Sequence, residues 1–152
     1  MRILVLSVHE AFEYVMDHYA PVGLEEFALR KDTYAVLSIQ CTQNGGFGFT
    51  FQKNRFCRDV LTLYFDDIER PVEGAQLFSE EQAGKALRFL LENRDRVDTL
   101  VIHCYAGESR SRAVAMFAAD RLGMDLEDTE RGSNFNRHVY KTLQRVYEKT
   151  DA

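Results

Sequence analysis

Val101-Ile102-His103-Cys104-Tyr105-Ala106-Gly107-Glu108-Ser109-Arg110-Ser111-Arg112 joins a short apolar run to a helical one, and its reading decides the fold. The run that ends in it, Leu100-Val101-Ile102, is brief and branched, as expected of a buried strand. The next stretch, Ala113-Val114-Ala115-Met116-Phe117-Ala118-Ala119, leaves no polar face and predicts a central, buried helix beginning near Ser109 and stopped by Gly123. A tight turn between strand and helix aims its amides at one point. Backbone N–H groups at a helix N-terminus lack intrahelical partners and carry the positive end of the dipole, so such a turn forms a cradle for an anion.

Reading outward, three further runs have the same strand character: Ile3-Leu4-Val5-Leu6, Tyr34-Ala35-Val36-Leu37-Ser38-Ile39 and Val60-Leu61-Thr62-Leu63-Tyr64-Phe65. A helix is expected after the third. Ser79 and Gln82 have capping-box spacing, and Ala83, Ala86, Leu87, Leu90 and Leu91 then recur on one face, with Lys85, Arg88 and Glu92 opposite. The last helix carries Val139, Leu143 and Val146 among Lys141, Gln144 and Arg145, reads as a surface helix, and starts from Asn134 or Asn136 as cap. Strands alternating with helices imply an α/β fold: a mainly parallel sheet of four to five strands with helices on both faces, formed by residues 1–152 as one domain.

The chain has 152 residues, 45% of them apolar and 28% charged, which suits one globular core without staples. A net charge of -5 argues against a general nucleic-acid partner, since polyanion binding rests on excess Lys and Arg. The opening apolar run is too short for an export signal or a membrane span, so a cytoplasmic protein with no membrane partner is expected. Three cysteines, Cys41, Cys57 and Cys104, are an odd number without paired spacing; they fit reduced thiols rather than a disulfide framework or a zinc site. Cys41 and Cys57 are expected as small core residues. No metal and no cofactor is called for, and the pattern is silent on oligomeric state.

The chemistry expected of the loop rests on its residue types. The Tyr105, Ala106, Gly107, Glu108 and Ser109 positions, with Arg110, form the candidate phosphate-binding set, and Gly107 lets the backbone curl. A thiol at the mouth of such a cradle is held as thiolate, its pKa falling from about 8.5 to roughly 3.5–7.5 at helix N-termini. Arg110 offers a planar fork to two phosphoryl oxygens, which Lys could not imitate. Ser111 places a hydroxyl beside the sulfur, and His103 can orient the loop through backbone hydrogen bonds. Cys-x5-Arg also arises by chance, and a lone Cys is more often a buried apolar residue; here the flanking His, Gly, Ser, strand and helix favour chemistry.

This segment closely resembles the His-Cys-x5-Arg-Ser/Thr signature of the protein tyrosine phosphatase superfamily, and more narrowly its dual-specificity form, His-Cys-x-x-Gly-x-Ser-Arg-Ser, as in small bacterial and phage cysteine phosphatases. The resemblance implies a phosphomonoester hydrolase working through a phosphocysteine: Cys104 as nucleophile, Gly107, Ser109 and the loop amides on phosphate, Arg110 as clamp, Ser111 assisting hydrolysis of the intermediate. It also implies a general acid, an Asp on a movable loop upstream. Asp66 and Asp67 are the candidates, with Asp67 preferred because Asp66 falls where the family is variable. Glu108 departs from the Lys-rich loops of phosphoinositide-specific relatives, so a phosphorylated protein or small phosphomonoester is expected as substrate, rather than an inositol polyphosphate or an RNA 5'-triphosphate. Low-molecular-weight tyrosine phosphatases, with the Cys near the N-terminus and the Asp after it, have a different layout.

Two other classes share parts of the pattern. A phosphate-binding module without turnover would keep the loop and Arg110, and a thiol redox or sulfur-transfer protein would keep the Cys loop with less use for Arg110 and Ser111. Asn44-Gly45-Gly46-Phe47-Gly48 lacks the Lys-Ser/Thr ending of a nucleotide-binding loop and reads as a turn. Lys53-Asn54-Arg55-Phe56, similar to a phosphotyrosine-recognition segment of the large enzymes, is assigned no role.

Overall fold

A computed structural model of the chain describes residues 1–127 and 134–150. Five strands, β1 (Arg2–Leu6), β2 (Tyr34–Gln40), β3 (Cys57–Tyr64), β4 (Thr99–His103) and β5 (Asp125–Leu126), form one sheet in the order β3-β2-β4-β1-β5. All its pairings are parallel. The sheet is the α/β architecture expected from the alternating runs, and β2 and β4 are buried at every position because both faces are covered there.

The alternation of side chains divides two cores. Ala35, Leu37, Ile39, Leu100 and Ile102 face three helices, α2 (Glu80–Asn93), α3 (Arg110–Leu122) and α4 (Arg137–Thr150), whereas Tyr34, Val36 and Val101 face α1 (Val8–Asp17) through Ala11 and Tyr14. α3 lies innermost, with Ala113, Ala115, Phe117 and Ala118 fully buried. Gly123 ends it in the left-handed conformation, where L side chains are disfavoured. α4 is an outer helix with one buried stripe, Val139 and Leu143 being wholly enclosed.

Both cap spacings near α2 and α4 are realised. Ser79 accepts from the Gln82 amide while Gln82 accepts from that of Ser79, and Asn136, rather than Asn134, caps α4 by accepting from the Val139 amide at 3.0 Å. The expectation for Cys41 needs correction: Cys57 is buried, but Cys41 is only half-buried, because it comes after the end of β2 in a loop rather than lying within the sheet. Besides two short 3-10 turns, at Glu25–Phe27 and Gln43–Gly45, α1 and the two-residue β5 exceed the sequence reading. A capping box opens α1, with the Glu10 amide donating to Ser7 Oγ and the Ser7 amide donating to Glu10 Oε1.

α1 begins where β1 ends, beside the Cys104 loop, so its cap fixes one wall of that region. Replacing Ser7 with Ala removes the cap acceptor and should cost about 1 kcal/mol of stability. In a thermal melt this corresponds to a fall of roughly 2–4 °C; an unchanged midpoint would contradict the contribution of the cap.

Candidate active site

β4 runs between β2 and β1, so Cys104, the residue after it, stands at the carboxyl end of the sheet. In parallel α/β sheets that edge is where ligands sit. From here the chain makes a compact turn into α3. Gly107 adopts φ +73°, and a side chain there would bring Cβ to 2.7 Å from the Leu6 carbonyl carbon and 2.8 Å from the Ser7 nitrogen. Only glycine permits this packing of backbone on backbone. The Val8 amide donates to the Tyr105 carbonyl at 3.0 Å and ties the loop to the start of α1 from the same side.

Cys104 is 3% exposed, and its Sγ lies 3.0 Å from Ser111 Oγ. Burial by itself pushes a thiol pKa up. Here the hydroxyl and amide of Ser111, the charge of Arg110 and the Gly107 amide outweigh it, leaving the Cys104 pKa below its ordinary value. Against a thiolate, the Ser111 hydroxyl is the donor. Cys57 shows burial prevailing: its thiol, which donates to the Asp59 carbonyl at 3.7 Å, is pushed up to about 11.

Arg110, 7% exposed, donates from one terminal nitrogen to the Phe65 carbonyl at 2.9 Å. Its buried Nε has no hydrogen-bond partner among the described residues. An enclosed guanidinium with an unused donor is costly unless something anionic completes it. The cradle therefore combines a stabilised sulfur with a cation whose hydrogen bonding is incomplete.

His103 is fully buried beneath the loop. Its Nδ1 is 3.1 Å from the Cys104 carbonyl, which can only accept, so Nδ1 carries the proton and Nε2 accepts from Ser38 Oγ at 2.6 Å. Burial lowers its pKa to about 4 and the Arg110 charge adds to that, against the opposing bond to Cys104. It is a neutral support for the loop. Ser38 in turn accepts from Gln40 Nε2 at 3.3 Å, and Gln40 Oε1 accepts from the Phe47 amide at 2.8 Å. This chain of bonds reaches the Gly-rich turn, whose Phe47 ring stands 6.1 Å from that of the exposed Tyr105.

The two candidate acids have separate surroundings. Asp66 accepts from the Thr42 amide at 3.0 Å, the Thr42 hydroxyl at 2.6 Å and the Gln76 amide at 2.7 Å, and its own amide donates to the Gln76 carbonyl at 2.8 Å. These bonds pinch residues 66–76 into a loop with a closed neck. Partial burial raises the Asp66 pKa, but the bonds from Thr42 and Gln76 prevail and hold it below the ordinary carboxylate value. Asp67, by contrast, is exposed and reaches across to the cradle, accepting from Ser109 Oγ at 2.8 Å and from Asn136 Nδ2 at 2.9 Å. Ser109 precedes α3 but spends its hydroxyl on Asp67 instead of capping the helix.

The fold thus brings Cys104, Arg110, Ser111, His103 and Asp67 together around one loop, with Glu108 exposed to solvent on it and Asp66 committed to the neck. Thr42, Ser38, Gln76 and Asn136 join the site from outside the motif that sequence reasoning singles out. Only Asn136 leaves a signal in the sequence, its cap position at the start of α4. Lys53-Asn54-Arg55-Phe56 precedes β3 and lies at the opposite edge of the sheet from Cys104, where Asn54 Oδ1 accepts from the amides of Phe56 and Cys57. Among the described residues no group of three or more His, Cys, Asp or Glu is placed to hold a metal ion, and no helix is long and apolar enough to cross a membrane.

No family model matches the chain. No curated protein matches it either. Among solved structures it is similar to the crystal structure of Tk-PTP in the active form, with a TM-score of 0.45 and 17% identity over 98% of this chain and 80% of that one. A likeness so slight bears on neither activity nor site.

The bonds at the neck have a pH signature. Because the native Asp66 pKa lies below its unfolded value near 3.9, its contribution is complete above about pH 4 and vanishes as pH falls through the native pKa. Asp66→Asn should accordingly be less stable than the parent at neutral pH, the difference narrowing in acid. Denaturant unfolding across this range checks it, and a difference that widened in acid would contradict the assignment.

Proposed function

We propose that this protein is a cysteine-dependent phosphomonoester hydrolase of protein tyrosine phosphatase or dual-specificity type. The observation that carries the reading is the juxtaposition of a stabilised Cys104 sulfur, 3.0 Å from Ser111 Oγ, with a buried Arg110 whose Nε has no partner among the described residues. A thiol redox protein has use for the first feature but not for the second. A phosphate dianion uses both.

In the proposed reaction the amides of residues 105–109 and Arg110 hold three phosphoryl oxygens while Cys104 Sγ attacks phosphorus. The S–P bond forms, the P–O bond to the leaving group breaks, and Asp67 gives its proton to the departing oxygen. In the second half, Asp67 as carboxylate takes a proton from water, whose oxygen attacks phosphorus. The P–S bond then breaks to release inorganic phosphate, and the thiolate returns with the Ser111 hydroxyl stabilising the sulfur. His103 keeps its ring beneath the Cys104 carbonyl and so positions the nucleophile. The substrate is a phosphorylated protein or small phosphomonoester, in line with the acidic chain and with Glu108 on the loop.

Para-nitrophenyl phosphate should be turned over by the purified protein. Cys104→Ser should abolish that turnover, and Asp67→Asn should slow esters with poor leaving groups by about 10²-fold or more. Absence of turnover between about pH 5 and 8 would overturn the reading in favour of a binding module, and unimpaired hydrolysis by Cys104→Ser would exclude the phosphocysteine route.

A further inference from the structure

Asn136 holds one of the most heavily used side chains near the cradle, yet it lies far along the chain from both loops. It is 1% exposed. Its Oδ1 accepts from the Val139 amide at 3.0 Å and so caps α4, which accounts for half of the side chain. The other half points the opposite way: Nδ2 donates to Asp67 Oδ1 at 2.9 Å and to the Ile68 carbonyl at 3.1 Å. Its backbone amide also donates to the Ser109 carbonyl at 3.3 Å. One residue therefore bonds to the acid, to the backbone next to the acid, to the cradle and to α4.

Oxygen accounting on Asp67 gives this arrangement a chemical meaning. Both side-chain donors, Ser109 Oγ and Asn136 Nδ2, fall on Oδ1. An oxygen that accepts two hydrogen bonds is poorly suited to carry a proton, so the carboxyl proton is directed to Oδ2. The fork also fixes the rotation of the carboxyl group, which in an exposed Asp would otherwise be free.

On the reading that Asp67 is the general acid, we infer that Asn136 is a positioning residue for it, docking the 66–76 loop on the cradle and reserving Asp67 Oδ2 for proton transfer. A helix cap needs only the acceptor of Asn136. Ser and Thr supply such an acceptor without an amide donor, so they separate the two roles.

Asn136→Ser tests this, with Asn136→Thr as the second variant should Ser fold poorly and thermal melting to verify the fold of each. For a series of aryl and alkyl phosphates, kcat should depend more steeply on the leaving group than in the parent, with roughly tenfold loss for alkyl esters that need an acid and much less for activated aryl esters. In an Asp67→Asn background the same substitution should have no further effect, because residues acting through one group are not additive. A loss of equal size on every ester, an undiminished rate on alkyl esters, or an undiminished further loss in the Asp67→Asn background would overturn the positioning role while leaving the phosphatase reading intact. Absence of turnover by the parent protein would overturn both.

Discussion

The backbone of Gly107 rests against that of Leu6 and Ser7 with no space for a side chain between them, and the site depends on that contact. It presses the Cys104 loop onto the end of β1 and the start of α1, and the bond from the Val8 amide to the Tyr105 carbonyl closes the same seam. A loop so pinned can direct its amides inward without help from side chains. Leu6 and Ser7 are neighbours of Gly107 only because β1 and β4 are adjacent in the sheet, Leu6 pairing with His103. Strand order, helix cap and loop geometry are thus parts of one constraint.

Within the cradle two physical tendencies oppose each other. Enclosure disfavours both a thiolate and a guanidinium, yet each favours the other, and the Ser111 and Gly107 amides act on the sulfur in the same sense as Arg110. Cys57 shows how far burial goes where the opposing effects are weaker, its thiol being pushed up to about 11. The contrast explains why one buried cysteine suits nucleophilic chemistry and the other suits packing. Beneath them His103 stays neutral, since a charged imidazole next to Arg110 in the same enclosed space would be doubly unfavourable.

Much of this architecture is legible along the chain because it is local. The strand runs, the Ser79 and Gln82 cap, the apolar Ala113–Ala119 stretch, Gly123 as terminator and the Cys104–Arg110 loop all express their structure within a dozen residues. α1 has a legible start too, in Ser7 and Glu10 at capping-box spacing, but Phe12 and Met16 are exposed while Ala11 and Tyr14 are buried, so apolar residues alone do not mark its inner face. β5 is two residues long and has no pattern to read. The preference for Asp67 over Asp66 comes from the resemblance alone; the separate surroundings of the two rest on Thr42, Gln76, Ser109 and Asn136, which folding brings from four separate segments. Ser38 under His103 is a case of the same kind: two strands side by side in the sheet, distant in the chain.

Covalent capture of phosphate on sulfur goes to the centre of this account. Acid quenching during turnover of an aryl phosphate, with mass mapping of the peptides, should place a phosphoryl group on Cys104. A phosphopeptide carrying the group on any other residue, or turnover with no phosphorylated enzyme even in a variant such as Asp67→Asn that slows hydrolysis of the intermediate, would contradict it.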